Sequence, residues 1–387
     1  IAAGGGPYTF DCQGPTSVVA EAEIVIDNDV ILDGEGHLMV DGDDVNYVMF
    51  SVPEGVAVEL RGFTVANAGL GIRNGGTLTL THSTVSGNSG GIQNNGTLTL
   101  THSTVSGNRT SNGLAGIQNS GTVTLTHSTV SGNTGHWGGI FNNSTGTVTL
   151  TNSTVLGTTA NGVGGGGILS RGTLTLTNST VSGNTAGSDD SSYSGGGGIR
   201  NGGTLTLINS TVSGNTAKRV GGGIRNGGTL TLINSTVSGN TAGGDGGGIY
   251  NTTWQTVTLI NSTVSGNSTS NGSGGGIYNY RDIEPPTTLT LTNTLVDNDC
   301  AGTIDVSGGG NLESPGDTCG FNHGTDRVNV ITDDLKLGPL QDNGGPTQTH
   351  ALGDGSVAID VIPADECVDA EGAPLTTDQR GVTRPQG

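Results

Sequence analysis

The chain has 387 residues but a mass of only 38.4 kDa, because 73 of the residues are glycine. Hydrophobic residues make up 31%, aromatic residues 3% and charged residues 12% of the chain. This composition excludes an ordinary α/β enzyme with a bulky core and a charge-rich disordered chain. The formal net charge is −20 without a basic stripe, which argues against a nucleic-acid partner. The longest apolar runs fall short of the roughly 18 residues that a membrane span needs, so no membrane insertion is expected.

The acidic residues are concentrated at the two ends of the chain. Residues 1–63 carry a net charge of −11, residues 64–280 carry +4 and residues 281–387 carry −13. Near the N-terminus, Asp41, Asp43 and Asp44 could offer carboxylate oxygens to Ca²⁺. Their spacing matches neither an EF-hand loop nor a calcium-binding nonapeptide repeat, so solvated acidic caps are the favoured interpretation. The sequence predicts no cofactor other than Ca²⁺ at these acidic ends.

An internal repeat of about 20 residues fills the middle of the chain. Its unit reads GGI-x-N-x-G-T-L-T-L-T-x-S-T-V-S-G-N, and longer copies add residues between S-G-N and the next G-G-I. The nine copies are aligned on Ile72, Ile92, Ile117, Ile140, Ile168, Ile199, Ile224, Ile249 and Ile277. The unit is too short for a propeller blade and lacks the leucine-rich signature. The remaining architecture is an all-β parallel β-helix, in which each short strand pairs with its equivalent one coil away.

Period-2 alternation assigns the faces of each coil. In the first full copy, Ile72, Leu78, Leu80 and Val85 are predicted to point inward, and the threonines between them outward. Two turns of the coil are predicted to stack asparagines into ladders. One column contains Asn152, Asn178, Asn209, Asn234 and Asn261, and the other contains Asn88, Asn108, Asn133, Asn184, Asn215, Asn240 and Asn267.

Repeats such as GTLTLTNSTVSGN resemble those of bacterial surface β-helix proteins with polymorphic outer-membrane-protein-like repeats. The segments LGPLQDNGGPTQTHAL, SVAID and TDQRGVTRPQG resemble the C-terminal end of the "choice-of-anchor Q" class. The opening TFDCQGPTSVV resembles the start of that class. The resemblance implies a right-handed, pectate-lyase-like β-helix displayed outside the cell, and it transfers no catalytic residue.

Two alternative functions follow from the outward residues. A polysaccharide-degrading enzyme needs acids on adjacent coils, whereas the acids of the repeat region are Asp189, Asp190 and Asp245, all in insertions. An ice-binding protein could use the regular Thr-x-Thr columns, but threonine is also a favoured exposed strand residue. The stacked His82, His102 and His127 resemble a metal ladder, and the favoured interpretation is that histidine replaces asparagine at this turn.

Aromatic residues gather near the last repeats. Tyr250, Trp254, Tyr278 and Tyr280 form a predicted glycan-binding patch, since exposed ring faces beside polar donors suit sugars. N-glycosylation is predicted at sites nearer the insertion loops. These are Asn108, Asn143, Asn251, Asn267 and Asn271, whereas sequon asparagines such as Asn152 and Asn261 are expected to be buried.

Four cysteines fit disulfides and an oxidising compartment. Cys300 and Cys319 are close in sequence and are expected to pair. Cys12 and Cys367 belong to opposite ends of the helix, too far apart for a bond within a straight rod. Either the tail after Thr332 folds back along the helix, or the bond joins two molecules head to tail into a filament.

The sequence therefore predicts an N-terminal cap over residues 1–63, nine repeat coils over 64–299 and a C-terminal coil and tail over 300–387. We expect a non-catalytic, extracellular structural or adhesive protein of the cell surface. Its expected partners are surface glycans or other copies of itself.

Overall fold

The computed structural model describes residues 5–11, 13–111, 113, 115–187, 195–252, 255–280, 288–302, 304–369 and 372–384. Its strands wind into successive coils, and each strand pairs in parallel with the equivalent strand of the next coil. Thr122 lies opposite Thr97 on one side and Thr147 on the other, so repeat positions stack in register. The predicted parallel β-helix is confirmed.

The coils contribute strands to three main sheets, and six of them also contribute a strand to a short sheet. The first sheet contains Thr77–Thr81, Thr97–Thr101, Thr122–Thr126, Thr147–Thr151, Thr173–Thr177, Thr204–Ile208, Thr229–Ile233, Thr256–Ile260, Thr288–Thr292 and Val306–Ser307. The second contains Thr84–Ser86, Thr104–Ser106, Thr129–Ser131, Thr154–Leu156, Thr180–Ser182, Thr211–Ser213, Thr236–Ser238, Thr263–Ser265, Leu295–Asp297 and Leu312–Glu313. The third contains Ile92–Asn94, Ile117–Asn119, Ile140–Asn142, Ile168–Ser170, Ile199–Asn201, Ile224–Asn226, Ile249–Asn251, Ile277–Asn279 and Cys300–Ala301. The short sheet contains Thr134–Gly135, Thr159–Ala160, Thr185–Ala186, Thr216–Ala217, Thr241–Ala242 and Ser268–Thr269.

The N-terminal coils use longer strands that bend around the corners. Gly5–Thr9, Thr16–Val19 and Ile24–Val25 form the outermost described coil, and all three pair with Val30–Val52. That strand pairs in turn with Ala57–Asn74, with register shifts where the chain turns. The first regular repeat is built on this base.

The interior is a narrow column of aliphatic side chains. The inward side chains are at most 1% exposed at Ile72, Leu78, Leu80 and Val85. Thr77, which precedes Leu78 in the same strand, is exposed, so the predicted alternation is confirmed. Each buried aliphatic side chain stabilises the fold by about 1.5–3 kcal/mol. One coil buries few such groups, and stability therefore accumulates only over the stack.

Buried asparagines form a ladder along the turn after the second sheet, as predicted. The Nδ2 of Asn184 donates to Oδ1 of Asn215 at 2.9 Å, and Asn215 donates to Asn240 at 2.9 Å. The backbone N–H of each asparagine also donates to the Oδ1 of the next one. Thr158 takes one rung, with its hydroxyl donating to Asn184 at 2.9 Å.

The structure contains another asparagine ladder, which is neither of the two predicted columns. It follows the third sheet, where Asn201 donates to Asn226 at 2.8 Å and Asn226 donates to Asn251 at 2.9 Å. The rungs are Asn74, Asn94, Asn119, Asn142, Ser170, Asn201, Asn226, Asn251 and Asn279, all at most 2% exposed. The fixed asparagine of the G-G-I-x-N unit is the sequence signal for this ladder.

The last coil is fastened by a disulfide between Cys300 and Cys319, whose Cα atoms are 4.8 Å apart, as predicted. The fully buried Glu313 carboxylate accepts hydrogen bonds from the backbone N–H of Thr318 and Cys319 at 2.6 and 3.0 Å. A buried carboxylate requires such partners. The disulfide and this carboxylate together hold the chain segment that closes the C-terminal coil.

The tail beyond the last coil contains the short helix Thr332–Leu335, the antiparallel strands Leu337–Gln341 and Thr349–Leu352, and the 3₁₀ helix Ala364–Glu366. Across the described residues, no helix has the length and apolar character needed to cross a membrane.

The tail folds back along the outside of the β-helix, which is the first of the two predicted alternatives. The side chain of Gln379, 9% exposed, is its central contact. Its Nε2 donates to the hydroxyls of Thr211 and Thr347 at 2.9 Å each, and its Oε1 accepts from Thr236 at 2.7 Å. His350 adds a hydrogen bond to Ser238 at 2.8 Å. The tail therefore joins at least two coils that are 25 residues apart in sequence.

Asparagines at the corner between the first and second sheets also hold the tail. Asn234, Asn261 and Asn293 donate from Nδ2 to the carbonyls of Thr377, Val368 and Glu366. These corner asparagines have φ of 47–51°, a left-handed conformation that asparagine tolerates better than most residues. Their amides bind the tail instead of one another. Asn152 is exposed and Asn261 is partly exposed, so the expectation that both are buried is wrong.

We predict that Gln379→Ala loosens the tail. The substitution removes hydrogen bonds to two coils and leaves buried hydroxyls unsatisfied, at about 1–3 kcal/mol per unsatisfied group. Trypsin should then cleave after Arg380 several-fold faster, as followed by mass spectrometry. Gln341→Ala, which changes an exposed tail glutamine, is the matched control and should leave the rate unchanged. Equal cleavage of both variants and the wild type would show that Gln379 does not hold the tail.

We also predict that Asn215→Leu destabilises the whole rod. The change removes the acceptor of the backbone N–H and Nδ2 of Asn184 and the donor to the Val181 carbonyl, at about 1–3 kcal/mol for each unsatisfied group. Chemical denaturation followed by circular dichroism measures this loss. Thr206→Val, on the outer face of the same coil, should stay within about 0.5 kcal/mol of the wild type. Similar losses for the two variants would contradict a structural role for the ladder.

Candidate functional site

The most varied outward position of the repeat is the residue after the buried isoleucine of the third sheet. Period-2 alternation turns this side chain away from the aliphatic core, although Phe141 and Leu169 in this position are covered and at most 6% exposed. From the N-terminal end the column reads Arg73, Gln93, Gln118, Phe141, Leu169, Arg200, Arg225, Tyr250 and Tyr278, paired strand to strand in register. Other outward columns hold mainly threonine and serine, so this column carries most of the surface chemistry.

Glycine corners give the large side chains of this column their room. Gly221 and Gly246 have φ of +66° and +67°, a conformation that side chains other than glycine rarely adopt. A Cβ at Gly246 would lie 2.7 Å from the Cβ of Tyr250. The glycine runs before each isoleucine therefore allow the corner to fold closely against Arg225 and Tyr250.

The tyrosines of the predicted glycan patch are brought together. The ring centroids of Tyr250 and Tyr278 are 5.3 Å apart with an interplanar angle of 8°, and Tyr280 lies 6.5 Å from Tyr278. Trp254 lies outside the described residues. Two coplanar rings could not approach so closely side by side, because their hydrogen atoms would overlap. One face of Tyr250 and one face of Tyr278 are therefore turned toward each other, and glycan binding by this patch stays a prediction.

Partial burial shifts the pKa values of two side chains in this column, Tyr250 and Arg200. Burial, followed by the neighbouring Tyr278, raises the pKa of Tyr250 to about 12. Burial, followed by the charges of Arg225 and Arg171, lowers the pKa of Arg200 to about 10. The guanidinium of Arg200 still carries its charge at neutral pH, and one of its nitrogens donates to the carbonyl of Val163. The column thus presents adjacent, partly desolvated cations.

A second aromatic cluster borders the arginines on the N-terminal side. Trp137 stacks on Phe141 with centroids 5.0 Å apart, and the Arg171 guanidinium lies 5.5 Å above the ring of Phe141. Phe141 itself is 6% exposed. This cation–π contact holds Arg171 near Arg200. We name Arg200, Arg225, Tyr250, Tyr278 and Tyr280 the arginine–tyrosine strip.

The predicted calcium ligands are not gathered into a site. Asp41 accepts hydrogen bonds from the backbone N–H of Asp43 at 2.9 Å and from Asn67 Nδ2 at 3.0 Å, which lower its pKa. Asp43 and Asp44 point into solvent. Within the described ranges, no three His, Cys, Asp or Glu side chains are grouped to hold a metal ion. Asp41 instead closes its own turn.

Burial also corrects three of the five predicted glycosylation sites. Asn108, Asn251 and Asn267 are at most 4% exposed because their amides are rungs of the ladders. A glycan on these amides is incompatible with the folded coil. Asn271 is exposed and Asn143 partly exposed, so glycosylation there stays a prediction.

His82, His102 and His127 occupy the left-handed turn that later coils fill with asparagine. Their φ angles are 48–50°, and successive rings stack at 5.0 Å. Asn152 continues the column, its Nδ2 lying 3.3 Å from Nε2 of His127. Histidine and asparagine are thus interchangeable holders of one turn.

We therefore predict that His102→Asn changes the free energy of unfolding by less than about 0.5 kcal/mol. His102→Val should cost about 1–2 kcal/mol or more, because a β-branched residue is strained at positive φ. Thermal unfolding of both variants measures the difference. Equal destabilisation would mean that the imidazole stack, rather than the turn, stabilises these coils.

The sulfhydryl of Cys367 lies in the folded-back tail, 3.7 Å from Oδ1 of Asn261 and 3.4 Å from the Arg384 guanidinium. Cys12 lies outside the described residues. A link from Cys12 to Cys367 of another molecule therefore stays a prediction.

Comparison with known proteins gives one family. The family model described as "Right handed beta helix region" matches residues 112–318, which include the whole arginine–tyrosine strip. Searches of curated proteins and of solved structures returned no match. Because the match covers more than half of the 387 residues and agrees with the coil architecture, the chain belongs to the right-handed β-helix family.

Proposed function

We propose that this protein is a non-catalytic, extracellular surface protein whose rigid rod attaches to glycans through the arginine–tyrosine strip. The main support for this proposal is the strip itself. It places large and charged side chains on consecutive strands, whereas the other outward columns of the rod contain mainly small polar residues. Tyrosine and arginine are the residues that most often dominate binding surfaces. Since Tyr250 and Tyr278 each turn one ring face toward the other, the strip contacts a ligand through ring edges, hydroxyls and guanidinium groups.

The proposal includes the finer resemblance to the "choice-of-anchor Q" class of surface proteins. The segments that carry this resemblance are those that hold the tail on the rod. Gln379 lies in TDQRGV, and Thr347 and His350 lie in PTQTHAL. The Cys300–Cys319 disulfide fits an oxidising compartment outside the cell. Because the tail folds back along the rod, a bond between molecules is no longer needed to explain the position of Cys367. The acidic ends are then the main remaining reason to consider a filament.

We predict that a gel containing polysaccharide slows the migration of the protein in affinity electrophoresis, relative to a gel without polysaccharide. Tyr278→Ala, which opens the stack, should weaken this binding about tenfold, and Tyr278→Phe, which removes only the hydroxyl, should weaken it less. Tyr8→Ala, at an exposed tyrosine of the N-terminal coil, is the control. Because the proposed function is non-catalytic, the protein should not cleave the polysaccharide, and the number of reducing ends in the same samples should not increase with time.

Two outcomes would overturn the proposal. The adhesive function would be excluded if neither neutral nor acidic polysaccharides slowed the protein in the gel while its thermal midpoint showed that it was folded. Release of reducing ends that disappears in the strip variants would replace adhesion with catalysis.

A further inference from the structure

The aliphatic column of the rod is closed differently at its two ends. At the C-terminal end, Cys319 is 1% and Phe321 8% exposed, and Val328 packs against the same cluster, so the chain covers its own last coil. At the N-terminal end, Val18 is 50% and Val25 46% exposed. Of the residues that the structure describes, those of the N-terminal coil are the outermost layer of the column.

The strand Thr16–Val19 ends the second sheet at this open side. It pairs in parallel with Val30–Val52, where Val18 lies opposite Val40. Among the described strands, none pairs with its other side. Backbone groups along such an edge can pair with a further strand from another chain.

The two neighbouring edges are less suited to pairing. Gly5–Thr9 includes Pro7, which has no backbone N–H, and its register with Val30–Val52 shifts. Ile24–Val25 has only two residues. Thr16–Val19 has four residues and no proline, so it offers the longest uninterrupted edge of the N-terminal coil.

Val18 begins a column of valines along the inside of the second sheet. From strand to strand the column reads Val18, Val40, Val65, Val85, Val105 and Val130. Every member except the first is at most 5% exposed, since a valine lies on each side of it. Val18 has such a neighbour on one side only. A β-branched residue placed over Val18 would therefore extend the buried column by one position.

The charge around this edge selects among partners. Residues 1–63 contain twelve acids and one base, Arg61, which donates to Glu59 at 2.7 Å. Glu21 and Glu23, which follow the strand, are exposed. A second copy would bring −11 against −11, or against the −13 of the C-terminal region, so repulsion opposes direct contact between two rods. A segment that carries lysine or arginine is attracted instead.

From these observations we infer that the N-terminal edge of the second sheet binds a partner protein by strand addition. The partner segment is extended, with a β-branched residue over Val18 and with lysine or arginine toward the acidic surroundings. Its backbone pairs with Thr16–Val19, and its inward side chain removes Val18 from water. This edge lies at the end of the rod, and the inference does not depend on the arginine–tyrosine strip.

The test measures the binding of labelled peptides to the full chain by fluorescence anisotropy. The probe K-T-V-T-V-T-K alternates threonine with valine and carries a lysine at each end. The peptide E-T-V-T-V-T-E keeps the pattern and reverses the charge, and K-T-V-P-V-T-K lacks one backbone N–H. We expect the first peptide to bind about tenfold or more tighter than either of the others, and less tightly as salt is raised.

Three variants locate the binding. Val18→Lys should weaken binding of the basic peptide about tenfold or more, because it repels the lysines and removes the apolar contact. Val18→Thr, which keeps the shape and adds no charge, should lose less. Val306→Lys is the matched control, since Val306 is 47% exposed on a strand of the C-terminal coil. It should change the affinity less than twofold, and a thermal midpoint for each variant verifies folding.

Several outcomes would overturn the inference. Equal affinity for the basic and the acidic peptide would show that charge does not select the partner. Absence of binding by any peptide, or equal losses in Val18→Lys and Val306→Lys, would remove the edge as a binding surface. A dimer at neutral pH that Val18→Lys abolishes, as measured by sedimentation velocity, would assign the edge to a second copy instead. The proposed function is tested separately, through the arginine–tyrosine strip.

Discussion

The stacking of coils in exact register is the constraint on which the rest of the structure depends. Each residue of a repeat lies beside the same repeat position above and below it, as Asn215 lies between Asn184 and Asn240. A polar residue type is stable in a buried column when its side chain can form hydrogen bonds with the residues directly above and below it. Asparagine does so because its amide has both a donor and an acceptor. Threonine and serine can join such a column, as Thr158 and Ser170 do.

The same constraint explains how much of the fold could be predicted from sequence. The period-2 alternation predicted the aliphatic core, and the repeat predicted which residues are neighbours. Burial of Phe141 and Leu169, at outward positions, could not be read from the alternation. Neighbourhood alone did not give ring orientation, so Tyr250 and Tyr278 were correctly placed together but their parallel stacking was not predicted. It also did not distinguish a loop asparagine from a ladder asparagine. Asn251 belongs to a sequon and to a buried ladder, and its burial decides between the two.

The folded-back tail left a mark in the repeats that only the structure explains. The last residue of the first-sheet strand is threonine in the earlier repeat coils but isoleucine at 208, 233 and 260. These are coils that the tail covers, and Ile260 is only 5% exposed. Thr211 and Thr236 of the second sheet are likewise buried there, although the equivalent Thr84 is partly exposed. A local change from polar to apolar in an otherwise regular column therefore indicates a surface that another segment covers.

Self-pairing has opposite consequences for the two halves of the arginine–tyrosine strip. Stacked tyrosines attract each other through their rings, so their column stabilises the rod without a ligand. Stacked arginines repel each other, and their column lacks a favourable self-contact of this kind. Arg171 is held by the ring of Phe141, and Arg200 by the carbonyl of Val163, so the charges are positioned by groups that leave them positive. Neutral contacts fix the geometry of these guanidinium groups but do not cancel their charge.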